Sequence, residues 1–221
     1  MTAGVELGVD VTIGPHAVVL GPCRIGDGVQ IGPGCVIGTP PELVTARQNL
    51  AWNADLAHHG IEIGAGTVVR EMCSIQQGAF APTSIGAGCW LLTRTYVAHD
   101  CVLDDRVTTS AGVALGGHVQ VGSGANLGMN AVVHQRRVVG PSAMVGMSAV
   151  VTRDVPPFAM TYGNPARIRG ANTVAMRRQS IGDGEIEALD VAYRTDSDLD
   201  SERFAAPRLA NAWEWWSERT G

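Results

Sequence analysis

The sequence predicts a mainly β fold, a parallel β-helix built from six-residue blocks, followed by a small helical region. Two observations carry this prediction: aliphatic residues recur at every sixth position, and glycine is abundant, at 28 of 221 residues. From Ile13 the chain reads IGPHAV, VLGPCR, IGDGVQ, IGPGCV, and each block opens with an aliphatic residue. Of 21 block openers, 20 are aliphatic, and only Thr109 breaks the pattern. An amphipathic helix would instead repeat apolar residues three and four apart.

A six-residue block suits a short strand and a turn, with the opener pointing inward and glycine taking the turn conformation. Three blocks close one triangular coil of 18 residues, and coils stack about 4.8 Å apart. The openers run from Leu7 to Ile37, from Ile63 to Ile75 and from Ile85 to Val151. We therefore expect roughly eight coils, or about 40 Å of prism.

The block pattern divides the chain into two predicted domains. Residues 1–157 form the prism, interrupted by excursions near 39–62 and 76–84. Because loops that leave a rigid scaffold commonly carry function, both are candidate lids or subunit contacts. Pro156 and Pro157 end the repeat, and residues 158–221 are predicted to be helical. The helices are expected to start near Pro165 and to include GEIEALDVAYR and SERFAAPRLANAWEWWSERT, whose tryptophans pack the helices together or onto the prism.

Composition excludes several functional classes. All 16 basic residues are arginine, which removes Schiff-base and phosphate-loop lysines. The net charge of -5 disfavours general nucleic-acid binding. No apolar run is long enough to span a membrane, and the start lacks a signal-peptide pattern, so a cytoplasmic location is expected.

The five cysteines share one place in the repeat. All stand fifth in their blocks, a place otherwise taken by small residues such as Ala125 and Ala143. We therefore predict buried structural thiols rather than a metal cluster or a disulfide framework, and no metal or other cofactor is expected.

Histidines gather on one side of the predicted prism. Residues 18 apart occupy equivalent places on adjacent coils, and Asp100 is 18 before His118. The blocks opened by Val97, Leu115 and Val133 therefore stack, and each carries a histidine. Three histidines in one column beside an aspartate indicate a functional site.

Five segments of the chain resemble the UDP-N-acetylglucosamine O-acyltransferases, a family of trimeric left-handed β-helices. The segments are YVAHDC, LGGHVQV, AVVHQ, DVPPF and GNPA. The resemblance implies a homotrimer that moves an acyl chain from an acyl-carrier-protein or CoA thioester to a hydroxyl or amine of a nucleotide-sugar-like acceptor. It gives His99 as general base, Asp100 as the acid that orients it, and Gly117 as backbone donor to the thioester oxyanion. It also implies a set of substrate-binding residues: Tyr96, His118, His134, Gln135, Glu42, Asn172, Arg177 and Arg178. Neither a metal nor a covalent intermediate is required.

The chain departs from the family where the substrate would bind. Tyr96 replaces a histidine, Glu42 and Val44 stand where the family has Asp and Lys, and Val174 replaces the Glu partner of Asn172. These changes leave the His-Asp pair intact and favour a related acyltransferase with another acceptor. Arg137 stands at a small inward place, so either the backbone bulges there or the arginine enters the active-site side.

Three other functions remain open. A γ-type carbonic anhydrase would bind zinc through three histidines, with a close pair about five residues apart, and the residue five after His118 is Ser123. A non-catalytic trimeric scaffold could retain the fold alone. The same His-Asp site could also serve a cyclase or eliminase of specialised metabolism that acts on a tethered acyl substrate.

Overall fold

The chain winds into a parallel β-helix with three sheets, as the six-residue repeat predicts. The computed structural model describes residues 2–45, 48, 58–195 and 207–220. Successive strands pass from sheet 1 to sheet 2 to sheet 3, so that each sheet collects every third strand of the prism. The protein is therefore a β-solenoid with a few helices at its C-terminal end.

The strands of the three sheets are two to five residues long. Sheet 1 contains β1 (Val5–Leu7), β4 (Cys23–Ile25), β7 (Ile61–Ile63), β10 (Thr83–Ile85), β13 (Val102–Leu103), β16 (Gln120–Val121) and β19 (Val138–Val139). Sheet 2 contains β2 (Thr12–Ile13), β5 (Gln30–Ile31), β8 (Val68–Val69), β11 (Trp90–Leu91), β14 (Thr108–Thr109), β17 (Asn126–Leu127), β20 (Met144–Val145), β22 (Ala159–Tyr162) and β23 (Arg167–Ala171). Sheet 3 contains β3 (Val18–Val19), β6 (Val36–Thr39), β9 (Ser74–Gln76), β12 (Tyr96–Val97), β15 (Ala114–Leu115), β18 (Val132–Val133) and β21 (Val150–Val151).

The block openers form the core of the prism. Val97 pairs with Leu115, which pairs with Val133 on the next coil, and all three side chains are buried. Thr109, the exception, is fully buried as well, and its Oγ1 lies 2.9 Å from that of Thr95. A buried hydroxyl needs a hydrogen-bond partner, and Thr95 supplies it from the preceding coil.

The two excursions leave the stacking register intact. In an unbroken repeat the partner of Ile37 would be the residue 18 positions later. Here the partner is Ile75, which follows the first excursion. The excursions also meet: Gly60, where the first one returns, forms an antiparallel bridge with Gly78, where the second one begins. Residues 46, 47 and 49–57 of the first excursion lie outside the described residues.

The five cysteines are buried and free, as predicted for structural thiols. Burial raises the pKa of Cys23 and Cys101 to about 12. Thiols with so high a pKa carry almost no thiolate at neutral pH, so they are poor nucleophiles and poor metal ligands.

Two strands, not a helix, follow the proline pair, so the predicted helix start near Pro165 is wrong. β22 pairs with β20 and turns back into β23, with Pro165 in the turn between them. Hydrogen bonds to β20, at the edge of sheet 2, satisfy the backbone of β22, which in turn pairs with β23. Proline suits the turn between β22 and β23 as well as it suits a helix start. The helices follow later, at α1 (Thr173–Arg178), α2 (Asp183–Thr195) and α3 (Pro207–Thr220). Residues 201–206, the start of the predicted last helix, lie outside the described residues, as do residues 196–200.

The helices pack onto the C-terminal end of the prism. Ile186 and Leu189 of α2 and Trp213 of α3 belong to the same buried cluster as the prism core, and Trp216 packs against it. This confirms the predicted packing role for Trp213 and Trp216. Within the described ranges, no helix is long and apolar enough to span a bilayer.

Arg137 causes no bulge. Val138 stays in register with Gln120, and the Arg137 guanidinium lies 3.3 Å from the Asp154 carboxylate. The arginine fits at this small inward place because it stands near the end of the prism, where Asp154 provides a charge partner.

Candidate active site

The turns between sheet 3 and sheet 1 bring the predicted catalytic residues together. We call this edge of the prism the histidine edge; it comprises the turns at residues 98–101, 116–119, 134–137 and 152–154. The His118 N–H donates to the carbonyl of His99 at 3.0 Å, which stacks one turn on the next. The predicted 18-residue column is therefore present for His99, Asp100 and His118.

The side chains of His99 and Asp100 are hydrogen bonded although the two residues are adjacent in sequence. His99 Nδ1 lies 2.6 Å from Asp100 Oδ2, and both residues are buried. Asp100 has a φ of +58°, a left-handed conformation that few non-glycine residues adopt. This conformation belongs to the fourth place of the blocks and is also found at His118, at +61°.

Backbone amides of the second excursion hold the Asp100 carboxylate. Oδ1 accepts hydrogen bonds from the N–H groups of Phe80 at 2.7 Å, Ala81 at 2.8 Å and Ala79 at 3.1 Å. Burial alone would raise the pKa of Asp100, but the amides of Ala81 and Phe80 outweigh it, and the net pKa lies below its ordinary value. An ionised carboxylate can only accept hydrogen bonds, so His99 Nδ1 donates to Asp100, and in the neutral tautomer with this proton Nε2 is the accepting nitrogen.

His118 lies across the ring of His99. The ring centroids of His99 and His118 are 5.1 Å apart in an edge-to-face arrangement. The centroid of the Phe80 ring is 5.7 Å from that of His118. Burial lowers the pKa of His118, with Asp100 acting in the opposite direction. The neutral imidazole is therefore favoured, which suits a hydrogen-bonding substrate ligand.

Gly117 packs directly against the ring of His99. A Cβ atom at Gly117 would lie 2.7 Å from His99 Nε2 and Cε1, closer than real Cβ contacts come. Its carbonyl accepts from the Arg136 N–H, whereas its own N–H makes no hydrogen bond to any described residue. Only glycine lets His99 occupy this position beside a backbone donor.

Gln76 links the site to the first excursion. Its Oε1 lies 3.3 Å from the backbone nitrogens of both His99 and Glu42, and Gln76 is only 1% exposed. The Tyr96 hydroxyl donates to the Glu42 carboxylate at 2.8 Å. Burial and the charge of Glu42 raise the pKa of Tyr96, so this O–H stays protonated. Two of the positions that depart from the family are thus bonded to each other.

Three ligand atoms of His99, Asp100 and His118 lie within 4.8 Å of one another, a spacing that a metal ion could bridge. The Asp100 oxygens, however, already accept from His99 Nδ1 and from three backbone amides. The carboxylate would have to give up these bonds to bind an ion. The donor set therefore fits a proton-transfer pair better than a metal site.

The remaining predicted residues are not brought to this pair within one chain. His134 and Gln135 lie two coils beyond the pair, and His134 Nδ1 is 3.1 Å from the carbonyl oxygen of Gln135. Asn172 caps α1 and donates to the Ser142 carbonyl, on the edge between sheets 1 and 2. Arg177 and Arg178 are exposed in the last turn of the same helix.

Sequence reasoning missed the residues that position the pair. Gln76, Phe80 and the backbone amides of residues 79–81 have no place in the repeat. Backbone donors leave no residue-type signal. The interruption of the repeat after Ile75 was the available signal, because a loop inserted there must return beside the His99 block.

Comparison with known proteins places the chain in a family. A curated acyl-(acyl-carrier-protein)–UDP-N-acetylglucosamine O-acyltransferase from Campylobacter concisus is 33% identical over 191 residues, 85% of this chain and 70% of that protein. The chain belongs to this family. Its counterpart from Gloeothece citriformis is 36% identical over 80% of this chain. This chain spans 62% of the length of that relative.

Two family models agree with this assignment, and a solved structure agrees with the fold. The model described as UDP N-acetylglucosamine O-acyltransferase, domain 2, matches residues 154–200, and the bacterial transferase hexapeptide model matches residues 4–39. The UDP-N-acetylglucosamine acyltransferase of Campylobacter jejuni superposes with a TM-score of 0.80, at 24% identity, over 100% of this chain and 81% of that chain. That superposition supports the fold.

Proposed function

We propose that this protein is an acyltransferase that moves an acyl group from a carrier-protein or CoA thioester to a hydroxyl or amine of a nucleotide-sugar-like acceptor. The observation that carries the proposal is the buried His99–Asp100 pair, whose Nε2 lies over Gly117. Family membership supports the class of reaction, because the relatives are named as transferases of this kind.

His99 acts as the general base. A sugar hydroxyl is a weak nucleophile, so its proton must pass to Nε2 as its oxygen attacks the thioester carbonyl. Asp100 holds the imidazole in the required tautomer and stabilises the imidazolium that forms.

Gly117 supplies the electrostatic part of the mechanism. Its N–H is unused by the described residues and can donate to the oxyanion that develops on the thioester carbonyl. The intermediate then expels the thiolate, which takes the proton from Nε2. One C–S bond breaks, one ester or amide bond forms, and the thiol leaves with the acceptor's proton.

A homotrimer would complete the site. The predicted nucleotide ligand Asn172 lies on the edge between sheets 1 and 2, whereas His99 lies on the histidine edge. A substrate contacting both therefore needs a second copy. The outward face of sheet 3, next to the histidine edge, is apolar at Val18, Val132 and Val150, which suits contact with that copy.

The Tyr96–Glu42 pair indicates an altered acceptor. The family has His and Asp at these positions, and here the tyrosine O–H is already donated to the carboxylate. The pair presents a fixed carboxylate oxygen to the acceptor and takes the place of a basic donor. It therefore favours an acceptor with a donor group, hydroxyl or ammonium, at this point.

The test is a mass-spectrometric screen of the purified protein. Acyl-carrier-protein and CoA thioesters are supplied against UDP-sugars and amino sugars, in parallel with His99→Ala. We expect an acylated acceptor and free thiol with the wild type and a loss of product of at least about 100-fold with the variant. Full product formation by His99→Ala would exclude the mechanism. A product without an added acyl group would indicate a cyclase or eliminase instead.

A further inference from the structure

A polar cavity, separate from the transferase site, lies at the C-terminal end of the prism. It has a volume of about 420 Å³ and lies between the turn after β21, the strands β22 and β23, and helix α2. Four arginines line it: Arg153, Arg167, Arg169 and Arg194. None of them belongs to the transferase site described above.

The cavity carries an uncompensated positive charge. Arg194 is paired with Asp190 at 2.7 Å, and the one acidic lining residue, Asp154, is paired with Arg137 at 3.3 Å. Arg153, Arg167 and Arg169 form no ion pair in the described part of the chain. The whole chain has a net charge of -5, so this excess of three positive charges is a local feature.

Arg153, Arg167 and Arg169 are exposed and line one cavity. Like charges around one cavity repel one another, and an anion bound between them removes that repulsion. The guanidinium fork matches the oxygens of a phosphate, to which it donates two parallel hydrogen bonds. We propose that this cavity binds the phosphate group of a small molecule.

The shape of the site favours a small molecule over a protein surface. The lining is concave, and its volume is within the range of small-molecule sites. Its floor includes Thr161 and Tyr193, both buried, and the Tyr193 hydroxyl is bonded to the Pro157 carbonyl. This hydroxyl fixes α2 against the prism, so that Arg194 and the strand arginines keep their relative positions.

The cavity shares an edge with the transferase site. Arg153 lies in the last turn of the histidine edge, three coils from His99 toward the C-terminal end of the prism. At the spacing of stacked strands this is about 14 Å along the prism. A phosphate here could belong to an extended substrate or to a separate metabolite, and the ligands tested below distinguish these sources.

The experiment measures binding without catalysis. The full-length protein is titrated calorimetrically with inorganic pyrophosphate, UDP and coenzyme A at low salt. The double variant Arg153→Gln/Arg169→Gln is compared with Arg24→Gln/Arg70→Gln, which removes the same charge from arginines paired with glutamates elsewhere on the prism. We expect pyrophosphate affinity to fall by about tenfold or more for each guanidinium lost in the first variant, and to remain in the second.

Each outcome decides the question. Tighter binding of UDP or coenzyme A than of pyrophosphate, lost in the same variant, would assign the phosphate to the acceptor or the donor. Equal affinity for all three would indicate a separate phosphorylated ligand. No binding by the wild type, or equal loss in both double variants, would overturn the proposal.

Two further variants separate this site from the transferase site. Arg167→Gln is expected to weaken pyrophosphate binding by itself, which guards against a folding defect in the double variant. His99→Ala should bind pyrophosphate as the wild type does. The proposal therefore stands or falls independently of the proposed acyl transfer.

Discussion

His99 Nδ1 and Asp100 Oδ2 are 2.6 Å apart although the residues are consecutive. In a regular strand neighbouring side chains point to opposite faces, so they could not meet. The left-handed φ of Asp100 turns its carboxylate back toward His99. The turn of the repeat thus brings the two side chains together, and the amides of residues 79–81 hold the carboxylate in place.

Asp100→Asn should reduce turnover by between about 100-fold and 10,000-fold with little effect on acceptor KM. The amide has only one acceptor oxygen, so it cannot accept both the amides of residues 79–81 and the proton of His99 Nδ1. Steady-state kinetics with the acceptor found in the screen measure the effect. Asp105→Asn is the control, because Asp105 accepts the Ala87 N–H on another edge. Equal losses in both variants would argue against a catalytic role.

Gly117→Ala should lower kcat about 100-fold, because a methyl group there meets the His99 ring and displaces it by a fraction of an ångström to an ångström. The prism core does not change, so we expect only a small decrease in the melting temperature alongside the large decrease in kcat. Gly184→Ala, at a helical glycine with open space around it, should retain full activity. A fully active Gly117→Ala would exclude the close packing of His99 on this residue.

Gln76→Met should leave the backbone N–H groups of His99 and Glu42 without their shared acceptor. The His99 N–H is buried, and an unsatisfied buried donor costs about 1–3 kcal/mol, so the free energy of unfolding should fall in urea titrations. We also expect a higher acceptor KM, since Glu42 loses its anchor. Gln120→Met, at a half-exposed outward position of sheet 1, should change neither quantity. An unchanged KM in Gln76→Met would separate Glu42 from acceptor binding.

His118 should make the protein less stable as the pH falls. Its pKa is lowered in the folded protein, so below the unfolded value of about 6.5 the unfolded chain binds the proton first. Stability is then full above about pH 7 and declines through the acidic range. His118→Gln should flatten this decline in urea titrations at pH 5.5 and 7.5. His16→Gln is the control, because exposed His16 has nearly the same left-handed φ, +60°.

Thr109→Val should be tolerated within about 1 kcal/mol, whereas Thr95→Val should cost about 1–3 kcal/mol. The Thr95 hydroxyl donates to the Leu92 carbonyl and accepts from Thr109. Removing the Thr109 hydroxyl therefore leaves Thr95 satisfied, but removing that of Thr95 leaves the buried Thr109 hydroxyl without its partner. Urea denaturation of both variants gives the two free energies, and equal costs would contradict the assigned direction of the bond.

The repeat predicted most of the fold because one rule acts at every coil. Each aliphatic opener has the same neighbours 18 residues before and after it, so a single sequence period specifies the strands, the core and the column from Asp100 to His118. The rule stops where the repeat ends. β22 and β23 satisfy the edge of sheet 2 with a hairpin that has no six-residue pattern, and Pro165 was therefore misread.

The site was predicted less completely than the fold. Side chains on the repeat, such as His99 and His118, could be located from their positions. The amides of residues 79–81 and the bridging oxygen of Gln76 depend on how two excursions return to the prism, which no period encodes. Arg137 shows the same limit, because its partner Asp154 lies in the incomplete last coil.

The excursions enter and leave the prism with only a local irregularity between Ile37 and Thr39, since Ile37 still stacks on Ile75. Folding stability resides in the coils, while the groups that contact an acceptor reside partly in inserted chain. The two properties can therefore change separately: an excursion can be lengthened, shortened or exchanged while His99 keeps its place. This modularity offers a direct route to engineered acceptor specificity, by grafting excursions from relatives onto an unaltered prism.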